Sequence, residues 1–137
     1  MKLFILLIFL IVTSCSSTET DSERLSKLKY MGIADGLGCS NQNGTTLKER
    51  ICLNLKFQKV DSIINQLLDS LHSVLPTAKY TILKDDQEKW IISRRKQSEK
   101  ASEGFRGHML GIFYLQKMIN LTEERIEYLY RYHNSKQ

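Results

Sequence analysis

The chain has 137 residues, 42% of them hydrophobic and 26% charged, with a formal net charge of +5. That is one domain's worth of chain, long enough to bury a real though modest core and too short for a second domain of ordinary size. A mild basic excess bears on association rather than on fold.

Met1-Lys2 opens the chain with a positive charge, and Leu3 to Val12 is an unbroken apolar run, LFILLIFLIV. Small polar Thr13 and Ser14 follow, then Cys15. This is the three-part layout of a secretory signal, and the run is too short for a permanent bilayer span. Val12-Thr13-Ser14-Cys15 resembles the lipobox of bacterial lipoproteins. The resemblance implies acylation of the Cys15 thiol, cleavage before it, and a further acyl chain on the new N-terminus. More than one chain matters, because a single acyl group holds a protein to a membrane only marginally. The competing reading is an ordinary cleaved signal with a chance cysteine. The expected organisation is a signal peptide over residues 1–14, a lipidated N-terminus and flexible tether over 15–23, and a helical domain over 24–137. Cleavage removes Lys2 and no acid, so the exported part carries one positive charge less. It would lie in the cell envelope, periplasmic or surface-exposed and tied to a membrane by its lipid, where nucleic acid is not an expected partner. Lipid headgroups or wall polymers would be the anionic neighbours, if the excess is more than a solvated surface.

Ser16 to Glu23 (SSTETDSE) is polar and acidic with nothing to bury, which reads as tether. A short amphipathic helix is predicted from about Ser22 to Met31, with Leu25, Leu28 and Tyr30 on its apolar face. Gly32, Gly36, Gly38 and Gly44, with Asn41 and Asn43, then break the pattern into a loop. No strand precedes these glycines, so a phosphate-cradling loop is not expected.

Cys39 and Cys52 remain as a pair if Cys15 carries lipid, in a compartment that permits oxidation. The alternative, a metal site, finds no CxxC, and His72, His108 and His133 are scattered. A disulfide is the better account, and neither metal nor cofactor is expected.

Helical periodicity dominates the rest. Thr45 or Thr46 is a plausible N-cap, with Glu49 completing a capping box from Thr46. Leu47, Ile51, Leu55, Ile63, Ile64, Leu67, Leu68, Leu71, Val74 and Leu75 recur at steps of three and four until Pro76 stops the helix. A second helix begins near Thr77 or Thr81, passes Ile82, Leu83, Trp90 and Ile91, and ends in a charged tail at Gly104. A third covers roughly His108 to Tyr132, with Asn120 and Glu123 as a possible restart. The expected fold is all-α: a small antiparallel helical bundle.

Polar residues repeat at the same helical spacing. Asp61 and Asn65 are four apart on the first long helix. Gln87, Trp90 and Arg94 share a face of the second, and Thr122, Arg125 and Leu129 a face of the third. Joined, they would form a buried network in which Arg94 or Arg125 neutralises Asp61, since an unpaired buried charge is expensive. Left apart, they are solvated faces, and spacing alone does not decide. Catalysis is not expected: there is no HExxH or GxSxG, no cysteine beside a placed histidine, and Asp85, Asp86 and Glu88 read as a solvated face.

The order of these residues resembles the N-terminal domain of the LprI-like lysozyme inhibitors. The family pattern is matched by Cys39, Cys52, Val60-Asp61, Ile64-Asn65, Gln87, Trp90, Arg94, Thr122, Arg125 and Leu129, nearly the whole exported part. Ser98 stands where many members carry a further cysteine, and no cysteine follows Cys52, so a second bridge is missing with both its partners. The resemblance implies an inhibitor of lysozyme-type muramidases that works by protein–protein binding. From the residues alone the competing function is an envelope scaffold or adaptor binding a protein partner or an anionic wall polymer. An outward basic stripe of Arg94, Arg95, Lys96 and Lys100 would favour the polymer.

Overall fold

Thr20 starts the folded chain with a capping box. Its hydroxyl accepts from the Glu23 N–H at 3.2 Å, and the Glu23 carboxylate accepts from the Thr20 N–H at 2.9 Å. The computed structural model describes residues 19–40 and 44–135; the signal segment and Cys15 lie outside the described residues. In chain order it has a short helix α1 (Asp21–Ser26), a 3-10 turn (Lys29–Ile33), and three long helices α2 (Thr46–Val74), α3 (Thr77–Ser102) and α4 (Gly107–Asn134). Among the described residues there is no strand, and no helix is long and apolar enough to cross a membrane.

Several boundaries differ from the sequence reading. The acidic segment expected to continue as tether through Glu23 is helical from Asp21, and Asp21 is only 2% exposed. The helix expected over Ser22 to Met31 breaks at Lys27 and continues as the 3-10 turn. At the start of α2 the cap is Thr45, accepting from the Lys48 N–H at 3.3 Å. Thr46 is already the first helical residue. Helix α4 runs through Asn120 and Glu123 without a restart, because Ile119, Leu121 and Thr122 are buried there and hold the turn in register.

The connections are short. Leu75 is extended, Pro76 fixes the turn, and α3 begins at Thr77. After α3, Gly104 takes φ +85° and Gly107 φ +58°, left-handed conformations that glycine adopts without penalty. Consecutive long helices are therefore antiparallel, and α2 and α4 run the same way. Helix α4 packs along both α2 and α3, which barely touch one another. Cys39, beyond the 3-10 turn, is bridged to Cys52 on α2 with Cα atoms 5.6 Å apart.

The core has two apolar clusters. One joins Leu25 to Phe57, Val60, Leu115, Met118 and Ile119; the other joins Ile64, Leu67, Leu71, Leu75, Leu83 and Leu129. The α3 stripe facing them is unusual: besides Leu83, its buried residues are Gln87, Arg94, Ser98 and Ser102. Ser98 and Ser102 satisfy themselves on their own helix, donating to the carbonyls of Arg94 (2.8 Å) and Glu99 (2.9 Å). Ser98 thus fills its buried position without a bridge.

Candidate functional site

Between the two clusters, all four helices contribute polar side chains to one layer. Arg94 of α3 is 2% exposed and forks between two carboxylates. Nη1 donates to Asp61 Oδ1 of α2 at 2.7 Å and to Thr122 Oγ1 of α4 at 2.9 Å, and Nη2 donates to Asp21 Oδ2 of α1 at 2.9 Å. Thr122 passes its own hydrogen to the Met118 carbonyl at 2.6 Å, and Ser22 donates to the second Asp61 oxygen at 2.6 Å. The guanidinium lies 5.0 Å from the Phe57 ring centre and 4.7 Å from that of Trp90. One buried cation thus joins all four helices.

At the rim, Arg95 Nε donates to Asp21 Oδ1 at 2.7 Å, and Arg24 reaches the same oxygen at 3.3 Å. Burial alone would push the Asp21 carboxyl up. The hydrogen bonds and charges of Arg94 and then Arg95 outweigh it and hold the group below its ordinary value, so it stays ionised. Arg24 also donates to the Tyr114 hydroxyl at 3.3 Å; burial raises the Tyr114 pKa, Arg24 opposing, and the phenol stays neutral.

A second node is built on Asn54, which is fully buried. Its amide donates to the Leu25 carbonyl and to the Tyr30 hydroxyl, both at 2.9 Å, while its oxygen accepts from Gln58 at 2.9 Å. The two nodes clamp the α1 segment to the bundle.

The sequence-derived candidates divide accordingly. Asp61, Arg94 and Thr122 meet directly. Gln87 and Arg125 form a neighbouring pair, Arg125 donating to Gln87 Oε1 at 2.9 Å and to Asp86 Oδ2 at 2.7 Å rather than to Asp61. Trp90 is half-buried, and the guanidinium groups of Arg94 and Arg125 lie 4.7 and 5.5 Å from its ring centre. Asn65 is exposed and outside the network, on the wall of a groove beside it, because one turn beyond Asp61 it is Ile64 that faces the core. Asp21 and Asn54 were missed. The Thr20-x-x-Glu23 box was a local signal for a helix at Asp21; the burial of either residue had none.

The chemistry available here is limited. Both carboxylates of the layer are neutralised by guanidinium groups, and among the described residues no group of three His, Cys, Asp or Glu side chains converges as a metal site. His72 stacks on Tyr80 with ring centres 4.3 Å apart. Arg94 is buried, and Arg95, with a side chain 41% exposed, is paired with Asp21, so of the basic stripe only Lys96 and Lys100 are both exposed and outside the ion layer.

Together these features define a small disulfide-stapled helical module organised around a buried ion layer. The family model for the lysozyme inhibitor LprI matches residues 39–129, and the chain belongs to that family. The matched span holds the bridge and every network residue except those of α1 and Tyr30 of the 3-10 turn. No curated protein and no solved structure gives a significant match to the chain.

Proposed function

We propose that the chain is a lipid-anchored envelope protein that binds and inhibits a lysozyme-type muramidase. The observation that carries this is membership of an inhibitor family across residues 39–129. The geometry supports binding over catalysis. Acid–base work needs titrating groups whose pKa values are split within an accessible cleft. Here Asp21 and Asp61 are spent on Arg94, and Arg125 on Gln87 and Asp86. The layer gives a small bundle a fixed shape, which a binding surface needs. Acylated Cys15 would hold the module at the membrane.

The test is the lysis of a cell-wall suspension by several classes of lysozyme with the Ser16–Gln137 domain added. Inhibition should rise with dose and saturate. A basic protein can also coat anionic wall and shield it, and that effect fades as salt shortens the reach of charge to about 8 Å at physiological ionic strength. Inhibition that survives moderate salt supports the enzyme as target. Its absence across all classes, with a folded domain, favours the adaptor reading.

A further inference from the structure

The arginines of this fold are not all alike. Arg94, Arg95 and Arg125 are buried or half-buried, and each holds a carboxylate at 2.9 Å or less. Arg50 of α2 is half-buried too, yet among the described residues no carboxylate pairs with it; its buried Nε, like that of Arg94, has no hydrogen-bond partner. Its guanidinium lies 4.2 Å over the Tyr30 ring, with Nη1 3.5 Å from His108 Nδ1. Placing a cation in partial burial without an anion is unfavourable, which is why its counterparts are paired.

Arg50 is also held in place by design of the backbone around it. Gly111 is buried on α4, and a Cβ there would collide with Arg50 Nε. A glycine inside a helix costs about 1 kcal/mol relative to alanine, so its presence makes room for this guanidinium. Above it opens a notch of about 240 Å³ lined by Arg24, Tyr30, Arg50, Leu110, Gly111 and Tyr114 among others, with no Asp or Glu in its wall. Beside it, Met109 and Leu110 are about two-fifths exposed, and Phe105 stacks on Phe113 with ring centres 3.9 Å apart.

We propose that this notch receives an aspartate or glutamate side chain projecting from the surface of the inhibited enzyme, with the α4 residues around it forming the apolar part of the interface. The size fits: small-molecule pockets run to about 300–1,000 Å³, and this one has room for a single side chain. The chemistry fits, because a planar guanidinium takes a carboxylate bidentately and the leucines of the wall take its aliphatic stem. Arginine and aromatic residues beside a small apolar patch are the usual composition of an interface centre. The site is recessed, so its occupant must project; the catalytic carboxylates of a muramidase flank the scissile bond within a cleft and do not. Inhibition would follow from covering the cleft rather than entering it. The identity of the partner rests on the inhibitor reading, whereas the carboxylate preference of the notch does not.

Two measurements on the purified chain in detergent micelles keep these apart. In the first, acetate is titrated while the Arg50 Nε–H resonance is followed by NMR. It should shift saturably with acetate but not with chloride at equal ionic strength, and the shift should vanish in Gly111→Ala, which displaces Arg50 and keeps its charge. In the second, binding to lysozyme is compared for the wild type, Arg50→Gln and Gly111→Ala. Both variants should bind at least about thirtyfold more weakly while keeping wild-type helical signal and a cooperative thermal transition. A resonance unmoved by acetate overturns the notch as a carboxylate site, and variants that bind lysozyme as the wild type does overturn its place in the interface. A notch that takes acetate in a chain that binds no lysozyme stands, and it is the inhibitor reading that falls.

Discussion

Replacing Asp21 by asparagine should destabilise the fold far more than its place in an acidic segment read as tether implies. The Asp21 side chain has no exposed surface and is held by Arg94 at 2.9 Å and Arg95 at 2.7 Å. Removing one partner of a buried ion pair costs about 3–5 kcal/mol when the other charge is stranded. Arg94 is not stranded, because Asp61 still accepts from its Nη1 at 2.7 Å. The loss should therefore approach the worth of a charge-assisted hydrogen bond, about 2–3 kcal/mol, a large part of the roughly 5–15 kcal/mol that holds a domain together. Asp21→Asn combined with Asp61→Asn should cost more than the sum of the two, since only the pair leaves Arg94 without a counter-ion. Urea unfolding followed by Trp90 fluorescence and helical signal measures this, with Asp85→Asn as the exposed control. The carboxyl of Asp21 titrates below its ordinary value in the folded state. Its contribution is thus complete above the unfolded pKa of about 3.9 and is lost as pH falls through the folded value. The gap between the wild type and Asp21→Asn should close in acid. A neutral-pH difference within about 0.5 kcal/mol, the range of ordinary surface substitutions, would refute the clamp, as would a gap independent of pH.

Reduction of Cys39–Cys52, or Cys39→Ser with Cys52→Ser, closes no loop of 13 residues in the unfolded chain and should cost about 3 kcal/mol of unfolding free energy; an unchanged urea midpoint would show that the loop contributes nothing. Cys15→Ala should abolish lipid labelling and release the chain from membranes, and unchanged membrane partition would dismiss the lipid anchor.

The long helices were legible because their signals are local. Pro76 and Gly104 mark the ends of α2 and α3, and apolar steps of three and four mark the buried faces of α2 and α4. The bridge followed from counting cysteines. The contact of Arg94 with Asp61 and Thr122 was within reach because all three lie on regular helices, where spacing fixes the face. What stayed hidden depends on partners distant in sequence. Asp21 is buried by an arginine 73 residues away, and nothing in SSTETDSE announces it. Asn54 is buried because the backbone at Leu25 offers it a carbonyl. Asn65 shares the helical stripe of Asp61 yet faces solvent, because four residues advance a helix by slightly more than one turn and the core edge falls between them. Spacing places Trp90 on one face with Gln87 and Arg94; the approach of the Arg125 guanidinium to its ring is a tertiary fact.

The central claim is that this bundle recognises a muramidase. Titration of the purified Ser16–Gln137 domain into lysozymes of several classes, followed by calorimetry at physiological salt, tests it most directly. The account expects saturable binding to at least one class at a fixed stoichiometry, with loss of lytic activity at the same molar ratio. Heat changes no larger than dilution in every class, from a domain with its full helical signal, would contradict it.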